Sequence, residues 1–261
     1  MSAVMPVLPN SAARYELAPS QYRAAMDVLL PVAAHVGYHF SADDISSAAH
    51  AADIAATHEL FSNTKELYHE ALRYAHSRIW PTWSQEDSDE LERMIPGDAI
   101  RRFSLATFER FREFPDAVRL IVAENMFQRA TITTTVGILE DSPVVLVIDR
   151  LLMRGHDVGA FRTGVSAEDL FVLLTSLCAF PITQGPIFHA LYGMDISDAQ
   201  NTEGMGKMIS DATVTFLSTT MATTQGSSYT HSSHSPSLGS SVAASLYSSQ
   251  EYPSEDDFNL S

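Results

Sequence analysis

Ten histidines, one cysteine and one glycine-rich stretch with a lysine are the features of this 261-residue chain whose residue types could support chemistry. His35 and His39 lie four apart, which would place two imidazoles on one helical face, and His69 and His76 lie seven apart. Zinc sites recruit three or four ligands with Cys or carboxylate partners at fixed spacings, and neither pair has that company. No metal is expected. The stretch Gly204-Met205-Gly206-Lys207 has Asn201 where a phosphate loop needs its first glycine, and Met208 where it needs Ser or Thr. Cys178 sits in an apolar run and reads as a small core residue rather than a reactive thiol. Neither a Gly-x-Ser-x-Gly elbow nor a dinucleotide fingerprint occurs, so no enzymatic activity and no cofactor are expected.

Between Pro19 and Arg78 the elements follow one another at helix-turn-helix spacing. Pro19-Ser20 opens a helix in which Ala24, Leu29, Val32, Ala33 and Val36 share a face, although Pro31 falls inside it. Gly37-Tyr38 ends that helix, and Ser41-x-x-Asp44 is a capping box for the next, which covers Ile45, Ala48 and Ala49. Asp53 is placed to cap a third short helix, Ile54 to Leu60. Ser62 or Asn63 would then cap a fourth that carries Leu67, Ala71, Leu72, Ala75 and Ile79 and stops before Pro81. Thr57, His58, Thr64 and Lys65 are the side chains on this stretch able to reach DNA, the first two toward base edges and the others toward phosphate.

Gly37-Tyr38, Ala48-Ala49, Phe61 and Glu66-Leu67-Tyr68 resemble the reading head of the tetracycline-repressor (TetR) family. Ala51-Ala52-Asp53 stands where that family has Gly-Val-Ser, His58 replaces its usual Tyr, and Thr64 takes the usual Lys position, with Lys65 beside it. A second stretch, Gly155-His-Asp-Val-Gly159-Ala-Phe161-Arg162-Thr-Gly164-Val165-Ser166, is similar to the loop that precedes the family's dimer helix. The resemblance covers residues 20–221 and implies an all-α fold. It further implies an N-terminal three-helix head, a C-terminal helical domain that binds a small and largely apolar effector, and a homodimer formed through 167–180 and 203–221.

Charge opposes one part of that implication. The chain carries a formal −16, and residues 20–80 hold four basic side chains (Arg23, Lys65, Arg73, Arg78) against seven acidic ones, a local −3. Affinity for a duplex comes largely from Lys and Arg neutralising phosphate, and Ile54–Leu60 offers no Arg, Lys, Asn or Gln for paired base contacts. Two functions are therefore expected in order. One is a TetR-like transcriptional regulator whose operator binding is controlled by the effector. The other is an acidic protein on the same scaffold, impaired in DNA binding, that acts by pairing with another regulator.

The remaining elements position a sensor body. Residues 1–18 read as an irregular arm, 19–80 as the head, 81–97 as a connector holding the acidic run 86–90, 98–221 as the helical body, and 222–261 as a disordered tail. Asp98 caps a helix carrying Ile100, Phe103, Phe108 and Phe111, and Pro115 opens the next. Thr131–Val136 and Val144–Ile148 are rich in β-branched residues but lack hairpin turns, so helix is preferred. Ser166-x-x-Asp169 caps an apolar helix that should stop at Pro181, with a short helix Pro186–Tyr192 and a last one from Glu203 to about Met221. Phe103, Phe108, Phe111, Phe127, Leu151, Phe171 and Leu174 are candidates to line an effector cavity, with Asn125 to orient the ligand. No uninterrupted apolar run reaches the ~18 residues of a membrane span, and no secretory pattern opens the chain, so a cytoplasmic protein without membrane contact is expected. Thirteen of the last forty residues are serine and none is basic, a composition too polar to order itself.

Overall fold

The computed structural model describes residues 11–128, 144–220 and 229–230. Among these there are ten α-helices, a single 3-10 turn and no strand: α1 (Ser11–Arg14), α2 (Pro19–Val36), α3 (Ala42–Ala52), α4 (Thr64–Ile79), α5 (Gln85–Arg93), α6 (Pro96–Glu113), α7 (Pro115–Phe127), α8 (Val144–Asp157), α9 (Ala167–Tyr192) and α10 (Ala199–Ser218). The all-α expectation holds. Residues 144–148, β-branched as they are, lie in α8, whereas 131–136 and the expected arm and tail fall largely outside the described residues.

Local signals account for most boundaries. Proline opens α2, α6 and α7, where its missing N–H is no loss. Ser41 and Asp44 form the expected reciprocal cap: Asp44 N–H donates to Ser41 Oγ at 3.1 Å, and Ser41 N–H donates to the Asp44 carboxylate at 2.7 Å. The carboxylate also accepts the Ser41 Oγ–H at 2.6 Å, and that bond first and the Ser41 N–H second hold the Asp44 carboxyl below its ordinary pKa. Asn63 caps α4, and Ser166 with Asp169 caps α9.

Four expectations are corrected. Residues 54–60 form no α-helix: Asp53 adopts left-handed angles (φ 54°, ψ 48°) as the C-cap of α3, and only Glu59–Phe61 coil, as a 3-10 turn. A seven-residue segment with Ile54 and Leu60 as its large apolar anchors cannot offset the cost of helix nucleation. His58 Nδ1 competes locally by accepting the Leu60 N–H at 3.1 Å. Second, α9 does not stop at Pro181 but runs through Pro181 and Pro186 to Tyr192. Leu170, Leu174, Cys178 and Pro181 are all buried at spacings that keep one face, and burial along that continuous stripe outweighs the lost backbone donors. Third, Ile95 rather than Asp98 precedes α6. Fourth, α10 begins four residues early, at Ala199, because Asp198 accepts the Asn201 N–H at 2.7 Å.

Head and body share one hydrophobic core. α2 packs on α3, α4 and α7, and α4 packs on α7 and α6, so α7 serves both halves. Buried tyrosine hydroxyls tie the layers: Tyr22 donates to Glu70 at 3.1 Å, Tyr68 to Glu124 at 2.8 Å, and Tyr74 to Asp27. Glu70, 1% exposed, also faces Arg14 and Arg73 at 3.6 and 3.7 Å, which compensates its burial. α10 lies closely on α6 because Gly206 has no side chain; a Cβ there would meet Leu105 Cδ2 at 3.3 Å.

His76 on α4 has its pKa lowered by burial from 6.5 to about 4. An unfolded chain therefore takes up a proton that the folded one refuses, and stability present above pH 6.5 is lost as pH falls toward 4. Going from pH 7.5 to pH 5 is expected to cost up to about 2 kcal/mol through this group. Urea unfolding of His76→Phe should show a correspondingly flatter profile than the parent; parallel profiles would remove His76 as the cause.

Candidate functional site

Two surfaces could carry function, one on the head and one on the body. On the head, the expected DNA contacts occupy the turn between α3 and α4. Thr57 is exposed, His58 is half-buried with Nδ1 already engaged, Thr64 is half-buried as the first residue of α4, and Lys65 is exposed beside it. Lys65 N–H donates to Asn63 Oδ1 at 3.0 Å, so the start of α4 is capped from within. These four side chains fall within nine residues of chain, but no α-helix presents the first two.

On the body, the expected pocket residues divide into three groups. Phe103, Phe111, Leu151 and Leu174 are packed in the core. Phe111 and half-buried Phe171 flank Trp80, with ring centroids 5.9 and 5.1 Å away, so this cluster is filled by an aromatic from the end of α4. Asn125 and Phe127 lie exposed at the far end of α7 and join neither group. Phe108 lines a cleft.

That cleft, of about 630 Å³, lies between the C-terminal part of α6, the start of α7, the C-terminal half of α9 and the α9–α10 connection. Its apolar wall includes Phe108, Pro181, Ile182 and Ile196, while Arg112, Arg119, His189, Asp195, Ser197 and Thr202 supply the polar groups. The volume suits a small metabolite. A search for large apolar side chains misses this place because Pro181, Gly185 and Pro186 of α9 form part of its lining. The recurrence of helix-disfavouring residues within one apolar segment is the sequence signal that marks it.

Neighbouring chemistry is quiet. Cys178, on the buried face of α9, has its pKa pushed up to about 12 by burial, so its thiol stays protonated and unreactive. Among the described residues no group of three His, Cys, Asp or Glu side chains is arranged to hold a metal.

Helices α6 to α10, with a shared core and a cleft at one end, form an all-α body. Residues 96–213, from the start of α6 through most of α10, match the family described as tetracyclin repressor-like, C-terminal domain. This part of the chain is similar to that family's C-terminal domain, a likeness that supports a TetR-like regulator. No curated protein matches the chain.

By length and composition α9 is the one described helix that could cross a membrane, with a mean hydropathy of 1.6 over its most apolar window. The fusion of residues 167–192 into a single helix creates this property, which the sequence reading excluded by ending the helix at Pro181. It lies inside the matched domain, with Leu170, Leu174, Cys178 and Pro181 facing the core.

Proposed function

We propose that this protein acts in the cytoplasm as a homodimeric transcriptional regulator whose body senses a small molecule and whose head contacts operator DNA weakly. The observation that carries this reading is the uncovered apolar face of α9. Val172, Phe180, Ile187, Leu191 and Tyr192 are 52, 40, 61, 71 and 65% exposed in the protomer, and Phe188 stacks between Phe180 and Tyr192 at 6.2 and 4.8 Å. Contiguous apolar surface of this kind favours burial against a mate. α10 contributes Met208, but Glu203, Lys207 and Asp211 make its outer face more polar, so α9 is the main seam.

The head sets how strongly DNA is held. Thr57, His58, Thr64 and Lys65 include one cation per protomer, so a dimer neutralises about two phosphates through them. Gel-shift titration against the gene's own upstream DNA should then give a slope of log K against log salt near about −2. A slope steeper than about −5 would require basic contacts outside this head and would overturn the assignment. The acidic head and the missing third helix favour a second reading, in which the protein pairs with another regulator instead of reading DNA. Absence of any shift at low salt, with a dimer intact by sedimentation, selects that second reading.

A further inference from the structure

We propose that the cleft at the end of the body is a binding site for a small monoanionic amphiphile, a carboxylate carried on an alkyl or aryl body. This rests on the body being a sensor, and it changes the ligand's nature from merely apolar to anionic.

Charge carries the first step. The chain holds 32 carboxylate side chains and 16 basic ones, so cations are the scarcer charge in it. α6 has four arginines. Arg101 pairs with Asp211, Arg102 with Asp87 and Glu90, and Arg110 with Glu113. Arg112 alone of the four has no ion pair among the described residues, and it lines the cleft with its guanidinium 5.9 Å from the Phe108 ring. Phe108 and Arg112 are four apart on one helix, so an apolar floor and a cation stand side by side. Arg119, from the next helix, adds a second cation to the wall, held by Asp116 at 2.8 Å. The one carboxylate in the wall, Asp195, accepts the Ser197 N–H at 2.8 Å, and the two arginines outnumber it.

Shape carries the second. Pro181, Ile182 and Ile196 continue the apolar floor away from the arginines, which gives a ligand a polar end and an apolar end. An uncharged apolar molecule would cover the Arg112 guanidinium without replacing its hydration, whereas a carboxylate supplies the paired acceptors that a guanidinium fits. Gly185 keeps the wall open. A Cβ there would meet only Ile196 Cγ2, at 3.7 Å, so a larger side chain can enter the cleft without displacing the helix.

The test uses the full-length protein and three probes of one chain length, octanoate, 1-octanol and octylammonium, followed by calorimetry and thermal shift. Octanoate is expected to bind at least about tenfold more tightly than 1-octanol, and octylammonium not at all. Arg112→Gln should weaken octanoate about tenfold and leave 1-octanol unchanged, while Gly185→Phe should abolish both. Equal affinity for octanoate and 1-octanol, octanoate binding untouched by Arg112→Gln, or no octanoate binding at millimolar concentration would each overturn the proposal. Sedimentation and gel shift without any probe report the dimeric regulator reading separately, so failure of one does not pass for failure of the other.

Discussion

Gly155→Ala is expected to destabilise the protein by about 3 kcal/mol, at the upper end for an overpacked core. Gly155 lies in the last full turn of α8, where its carbonyl accepts the N–H groups of Ala160 at 2.8 Å and Phe161 at 3.1 Å. That pair of bonds folds the chain back and lays the Phe161 ring across the glycine. A Cβ on residue 155 would overlap the ring at Cδ2 and Cε2. The ring has little freedom to withdraw. It is 5% exposed, and its neighbour Arg162 is fixed to α10 by its backbone N–H on Leu217 O at 2.8 Å and by Nε on Phe216 O at 2.7 Å. Urea unfolding would measure the loss, and Phe161→Ala in the same chain should recover part of it, a coupling expected only of residues in contact. A Gly155→Ala protein as stable as its parent would show that the loop re-forms elsewhere.

Replacing Ile187 and Leu191 together by Glu is expected to convert the proposed dimer to monomer. Both side chains are mainly exposed in the protomer, so the fold should survive with its helix content unchanged. A two-fold seam uses each position twice, and four apolar side chains at about 1.5 kcal/mol each correspond to roughly four orders of magnitude in dissociation constant. Sedimentation velocity at micromolar concentration reads the outcome directly. A dimer that persists through both substitutions would exclude the C-terminal half of α9 from the interface and shift attention to the segment around Val172.

The helices whose ends are written in local chemistry are legible without coordinates. Pro19, Ser41, Asn63, Pro115 and Ser166 each mark a start through a missing donor or a side-chain cap, and Gly37 and Gly193 mark ends through positive φ. What cannot be read locally is the outcome of competition between propensity and packing. Pro181 and Pro186 argue for a break in α9, but the buried stripe from Leu170 to Pro181 decides otherwise, and nothing in the immediate sequence reveals what lies against that stripe. The reverse holds at 54–60, where spacing calls for a helix and too few anchoring side chains exist to keep it.

The candidate sites follow the same division. Apolar residues on the correct faces, such as Phe103 and Leu174, are recognisable as interior but not as lining or filling, because that depends on whether a distant aromatic such as Trp80 occupies the gap. Arg112 and Ile196 are far apart in sequence and meet only after α6 and the α9–α10 connection have been brought to the same end of the body. The Gly155–Ser166 stretch, by contrast, owes its distinctive look to steric necessity, since Gly155 must be small for Phe161 to close over it.

The hydroxyl of Tyr68, buried against Glu124, bears on how such a protein could be re-engineered or could have diverged. An interchangeable reading module would need a dry, chemically indifferent joint with its sensor. Here the joint is a specific donor and acceptor sealed inside a continuous interior, the acceptor on the same short helix that borders the cleft at Pro115 and Arg119. A foreign head grafted onto this body would take the phenol donor away from a buried carboxylate unless it brought a matching one, so the two halves are constrained to change together.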